Sequence, residues 1–82
     1  MKKGDRIRVN NGTNDPDFKG RDLSGYTGCI EEIVSDNLVG ILWDESTLRN
    51  FGAKFIRKCD RRNLDYRTMA LAIDEIELIE GK

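Results

Sequence analysis

The most apolar run in this chain is only six residues long, Leu38-Val39-Gly40-Ile41-Leu42-Trp43, and turns close it at both ends. Ser35-Asp36-Asn37 precedes it and Asp44-Glu45-Ser46 follows, residue types whose side chains bond their own backbone in turns. A run of this kind reads as a buried strand, and here as the central strand of a sheet. No stretch approaches the roughly 18 apolar residues that a membrane-crossing helix needs. The other apolar residues also fall in short runs bounded by turns, which favours a fold built of strands.

Arg6-Ile7-Arg8-Val9 alternates charged and apolar residues, the period of a half-buried strand, and Asn10-Asn11-Gly12 stops it. Residues 10–25 form a long polar loop around Pro16, with Phe18 and Leu23 tacking it to the core. A second strand begins near Tyr26 and runs through Cys29, Ile30, Ile33 and Val34. Gly25 and Gly28 mark its start, where a small barrel needs a sharp bend or a close backbone approach. Glu31-Glu32 breaks its alternation and predicts a bulge. After Gly52 the period changes: Phe55, Ile56, Cys59 and Asn63 recur at helical spacing, with cations on the other face. That spacing predicts a short helix over 53–62, with a long hairpin as its rival. Met69, Leu71 and Ile73 alternate again, Asp74-Glu75 suggests a brief helical turn, and Ile76-Glu77-Leu78-Ile79 closes the chain.

Five short strands, a long first loop and a terminal turn-plus-strand describe a mainly β, strongly bent small barrel, one domain over residues 1–82. The order KGDRIRV, GYTGCIEEI, GILWD, IDEIELI resembles the SH3-like barrels of bacteria and their phages. That family includes KOW-type modules of transcription and translation. It also includes accessory subunits of photosynthetic electron transfer, such as the ferredoxin–thioredoxin reductase variable subunit, and short barrels of unknown function. The resemblance covers roughly residues 3–51 and 68–80. It implies a five-stranded SH3-like barrel, with residues 52–67 a helical or hairpin insertion before the last strand. It implies no particular chemistry, because these motifs record barrel geometry.

Half of the positive charge lies in that stretch and just before it. Residues 49–67 hold Arg49, Lys54, Arg57, Lys58, Arg61, Arg62 and Arg67 against Asp60 and Asp65, a formal +5 in a chain of net −1. Such a cluster creates a local field that net charge conceals. Five of the seven are arginines, whose planar fork suits bidentate contacts to phosphate or carboxylate. The bland explanation is a solvated helix face neutralised by the acidic remainder of the chain. The functional one is a non-catalytic module that docks an anionic partner, a nucleic acid or nucleotide, on those seven side chains. Trp43 and Tyr66 are the candidates for stacking on bases, provided their rings are exposed, whereas Phe51 and Phe55 read as core. Two alternatives remain: an accessory or inhibitor module gripping an acidic protein surface, and a structural domain with no ligand. A pI of about 5.4 argues against a general nucleic-acid coat.

Several chemistries are excluded by residue type. The chain has no histidine and two cysteines, Cys29 and Cys59, too few ligands for structural zinc. Laid on an EF-hand pattern from Asp15, positions that need oxygen ligands fall on Lys19 and Tyr26, so no metal or cofactor is expected. Without histidine or an identifiable base, the chain is not expected to be an enzyme. Cys59, surrounded in sequence by cations, is expected to be the more reactive thiol, the basis of a redox alternative. MKKGDRIRV lacks the apolar region of a signal peptide, and reduced thiols fit a cytoplasmic protein. Open edge strands in so small a chain leave self-association available.

Overall fold

The computed structural model describes residues 1–80, the last of them by its backbone alone. Five antiparallel strands form one sheet in the order β4-β3-β2-β1-β5. They are β1 (Arg6–Val9), β2 (Thr27–Ile33), β3 (Leu38–Trp43), β4 (Thr68–Ala72) and β5 (Ile76–Glu80). Two helices, α1 (Glu45–Leu48) and α2 (Ala53–Arg61), lie between β3 and β4, and a 3-10 turn over Ile73–Glu75 leads into β5. No ladder joins β4 to β5 among the described residues, so the sheet has two edges.

The alternation in the sequence is borne out as burial. Ile7 and Val9 of β1 face inward, and Ile30, Val39, Ile41, Trp43, Leu71 and Ile76 complete that face. Burying a side chain of this size contributes about 1.5–3 kcal/mol, and this layer holds the strands together. The Glu31-Glu32 bulge is present. Ile30 pairs with Ile41, but the next partners are Glu32 and Gly40, which leaves Glu31 as the extra residue. Gly28 is required by crowding, since a Cβ there would lie 2.4 Å from the Leu42 carbonyl oxygen.

Four expectations are corrected. The middle strand is β2, because β1 pairs with both β2 and β5 and so extends the sheet beyond β2; β3 lies second from the other edge. The basic segment precedes β4 rather than the last strand, since β4 and β5 are separate elements joined by the 3-10 turn. The helix expected over 53–62 is borne out within it as α2. Its residues Ala53–Arg61 are mostly strong helix formers, and Lys58 and Arg61 in the last turn suit the negative end of the helix dipole. Asn63 lies outside the apolar stripe and adopts a left-handed φ of 57° just past the helix, where asparagine is tolerated. The turn expected at residues 44–46 is the start of α1, capped by the Asp44 carboxylate, which accepts from the Thr47 N–H at 3.0 Å.

The free side of β4 is largely closed. The Trp43 N–H donates to the Arg67 carbonyl and the Ile73 N–H to the Asn37 carbonyl, so residues 67, 69, 71 and 73 point their backbone groups at β3. Residues 68, 70 and 72 point outward. The Thr68 N–H is taken by the Asp65 carbonyl at 3.2 Å, and the Ala72 N–H by the Glu75 carboxylate at 3.1 Å.

Candidate functional site

The loop over residues 10–25 is folded by its own polar residues. The buried Asp15 carboxylate accepts from the N–H groups of Asp17 (2.8 Å) and Phe18 (3.2 Å) and pairs with the Arg21 guanidinium at 2.8 Å. Asp22 accepts from both the N–H and the hydroxyl of Ser24. These are the capping and turning roles that short acidic side chains take in loops. Leu23 is fully buried beneath them.

Arg21 joins this loop to α2. Its guanidinium carbon lies 3.6 Å from the Phe55 ring centroid, 4.6 Å from that of Phe51 and 5.5 Å from that of Tyr26. Phe18 adds an edge contact to Phe55 at 5.1 Å. On the same seam the Arg62 guanidinium covers Phe18 at 4.6 Å and donates to the Asp17 carbonyl at 3.0 Å. The loop and the helix therefore present one continuous surface.

On that surface the predicted cations divide into two groups. At 100° per residue, Lys54, Arg57, Lys58, Arg61 and Arg62 fall within about 140° of arc, with Ile56 and Cys59 turned away and Phe55 at its margin beside Arg62. All five are exposed. Among the described residues, none of the five lies within ion-pair distance of a carboxylate. Arg49 and Arg67 are not part of this face. Arg49 pairs with Glu45 at 3.6 Å, one turn back on α1, and Arg67 grips Asp65 through two bonds of 3.0 and 3.3 Å. Those bonds from Arg67 hold the Asp65 carboxyl below its ordinary range and push the Arg67 guanidinium up.

No family model, curated protein or solved structure matches this chain.

Two hollows flank the wall made by Phe18 and Phe55. The larger, an open groove of about 620 Å³, is lined by Lys19, Lys54, Lys58 and Arg62. Lys19 escapes a reading of charge along the sequence because it stands alone in an acidic loop. Its nearest signal is Lys19-Gly20-Arg21, the only cations between residues 10 and 25. The smaller, about 210 Å³, is lined by Trp43, Tyr66, Thr68 and Met69 above Cys59. Asp17, Phe18, Arg21 and Phe55 border both.

Trp43 is corrected as a stacking residue. It is 3% exposed, and the Tyr26 ring meets it edge-to-face at 5.6 Å, so only a margin of it reaches the smaller hollow. Tyr66 is half-buried and borders that hollow. Phe51 is core as expected, while Phe55 is half-buried in the seam.

Cys59 is also corrected. Its sequence neighbours are cations, but helix geometry turns it to the opposite face, where it is 2% exposed. Burial pushes its thiol up, outweighing the lowering effect of Arg21. Cys29 lies half-buried on β2, and both thiols are free. Among the described residues no three Cys, Asp or Glu side chains are grouped to hold a metal ion. Among the described residues no helix is long and apolar enough to cross a membrane.

Proposed function

We propose that this protein is a non-catalytic binding module that docks an anionic partner, a nucleic acid or nucleotide, on the basic face of α2 and its adjoining loop. The observation that carries the reading is a contrast in pairing. Arg6, Arg8, Arg21, Arg49 and Arg67 each have a carboxylate, Asp44, Glu77, Asp15, Glu45 and Asp65 respectively. Arg57, Arg61 and Arg62 have none among the described residues, nor do Lys54 and Lys58. A face neutralised by the acidic remainder of the chain would place those acids against it, and the ion pairs lie elsewhere. Unpaired arginines and lysines on one rigid helix hold their counterions loosely, and displacing them favours a polyanion.

The same proposal reads the sheet as an SH3-like barrel with residues 52–67, which hold α2, as its insertion. Five antiparallel strands, β1 laddered to both β2 and β5, and a terminal turn-plus-strand support it. Two free thiols support a cytoplasmic setting.

Salt dependence tests the binding. Five cations neutralising five phosphates of a single strand give a log–log slope of about −3.5, so raising salt from 50 to 200 mM weakens binding by about 100-fold. Arg57→Glu combined with Arg61→Glu abolishes binding in the same fluorescence-anisotropy titration. If labelled oligonucleotides fail to bind at 50 mM salt, the proposal is wrong, and an acidic protein surface becomes the partner to seek.

A further inference from the structure

Resting on that reading of the basic face, we infer that the smaller hollow receives a nucleobase, so that the ligand is a single nucleotide unit, free or within a single strand, and not a duplex. The two hollows differ in chemistry but share a wall. On one side of Phe18 and Phe55 are Lys19, Lys54, Lys58 and Arg62; on the other are Tyr66, the margin of Trp43, Thr68 and Met69. A nucleotide has the same division, a planar ring at one end and phosphate at the other.

Size points the same way. Pockets that enclose a whole small molecule measure about 300–1,000 Å³. A hollow of about 210 Å³ takes one ring system and leaves the rest of the ligand outside. The charged end then crosses the Phe18–Phe55 wall into the groove of about 620 Å³, where the cations are.

Asp17 stands where the two hollows meet. It borders both hollows, and its carboxylate accepts no hydrogen bond and makes no ion pair among the described residues, while its own N–H and carbonyl are used by Asp15 and Arg62. A carboxylate there is an acceptor within reach of both hollows. It accepts from an exocyclic amine of a base or from a ribose hydroxyl. Tyr66, half-buried at the border of the same hollow, supplies the aromatic face on which a base stacks. A base stacked inside a duplex has neither face free, which excludes double strands.

The experiment compares labelled probes of one length on the whole protein: a single strand, the same strand with abasic sites, and a blunt duplex. The single strand is expected to bind at least about fivefold more tightly than the abasic strand, the lower range of one base stacking on an aromatic side chain. Tyr66→Ala removes that advantage without weakening the abasic strand, and Tyr66→Phe keeps it. Competition by a nucleoside monophosphate near the strand's own affinity assigns the site to free nucleotides; competition by oligonucleotides alone assigns it to strands. Equal binding of intact and abasic strands overturns the base site but leaves the basic face standing, as does a duplex that binds as well as the single strand. Failure of every probe at low salt overturns the basic face itself. The abasic comparison uses the unaltered protein, so it decides the matter even if Tyr66→Ala fails to fold.

Discussion

Replacing Arg21 by Met tests whether the charge of this residue, and not its bulk, locks the 10–25 loop to α2. Methionine keeps an unbranched apolar stem and favourable sulfur contacts against Phe55 and Phe51. What it removes is the guanidinium that pairs with Asp15 at 2.8 Å. The Asp15 side chain is 0% exposed and that of Arg21 18%, so the variant leaves a carboxylate buried with only the Asp17 and Phe18 N–H groups to hold it. Stripping one partner from a buried ion pair costs about 3–5 kcal/mol, and the partial exposure of Arg21 places this case at about 3. A chain of 82 residues has about 4–12 kcal/mol of stability in all. The loss should lower the thermal midpoint by about 12–24 °C. Urea unfolding followed by tryptophan fluorescence measures it, and a double-mutant cycle with Asp15→Asn isolates the pair. In the Asp15→Asn background, Arg21→Met should cost at least about 1 kcal/mol less, because no buried charge is left behind. The same cost in both backgrounds, or a loss below about 1 kcal/mol in the first, would refute the reasoning.

Two further outcomes follow from the environment of single groups. Burial raises the Asp44 carboxyl, but hydrogen bonds from the Thr27 hydroxyl, the Thr47 N–H and the Ser46 hydroxyl outweigh it and hold the group at about 2. Because this folded value lies below the unfolded one of about 3.9, Asp44 contributes about 2 kcal/mol that is fully present above pH 4 and lost as pH falls towards 2. Asp44→Asn should flatten that part of the stability–pH profile measured by urea titration, and an unchanged acid limb would count against it. Cys59, buried on the inner side of α2 with its thiol pushed up, should label with iodoacetamide more slowly than Cys29 near neutral pH, and its rate should rise in urea. Faster labelling of Cys59 than of Cys29 in the native protein would restore the redox alternative.

Much of the fold was legible in the sequence, and the reason is local. The alternation of Arg6 to Val9, the doubled glutamate at the bulge and the helical period through Phe55, Ile56 and Cys59 each report a geometry set within a few residues. The site was legible only in half. Along the sequence, seven cations look like one cluster. The helix keeps five of them together, while Asp65 and Glu45 draw Arg67 and Arg49 aside through pairs two and four residues apart. Arg21 joins the site through its contacts with Phe51 and Phe55, far along the sequence, and Lys19 comes to the same groove with the loop, which no periodicity carries. Cys59 misleads for the opposite reason. Its neighbours in sequence are 100° away on a helix, so their charge says little about its own surroundings.

The closed edge of β4 has a consequence for how the molecule behaves in a crowd. An open edge strand offers an incoming strand a row of donors and acceptors, and that row is where edge-to-edge aggregation starts. On β4 the outward N–H groups of Thr68 and Ala72 are already spent on Asp65 and Glu75, which leaves the Ala70 N–H as the donor between them. A strand docking there would first have to strip the 3-10 turn of its carboxylate anchor. The strand Thr-Met-Ala-Leu-Ala, which carries no charge and no proline of its own, is thus guarded by a turn at each end rather than by its own side chains.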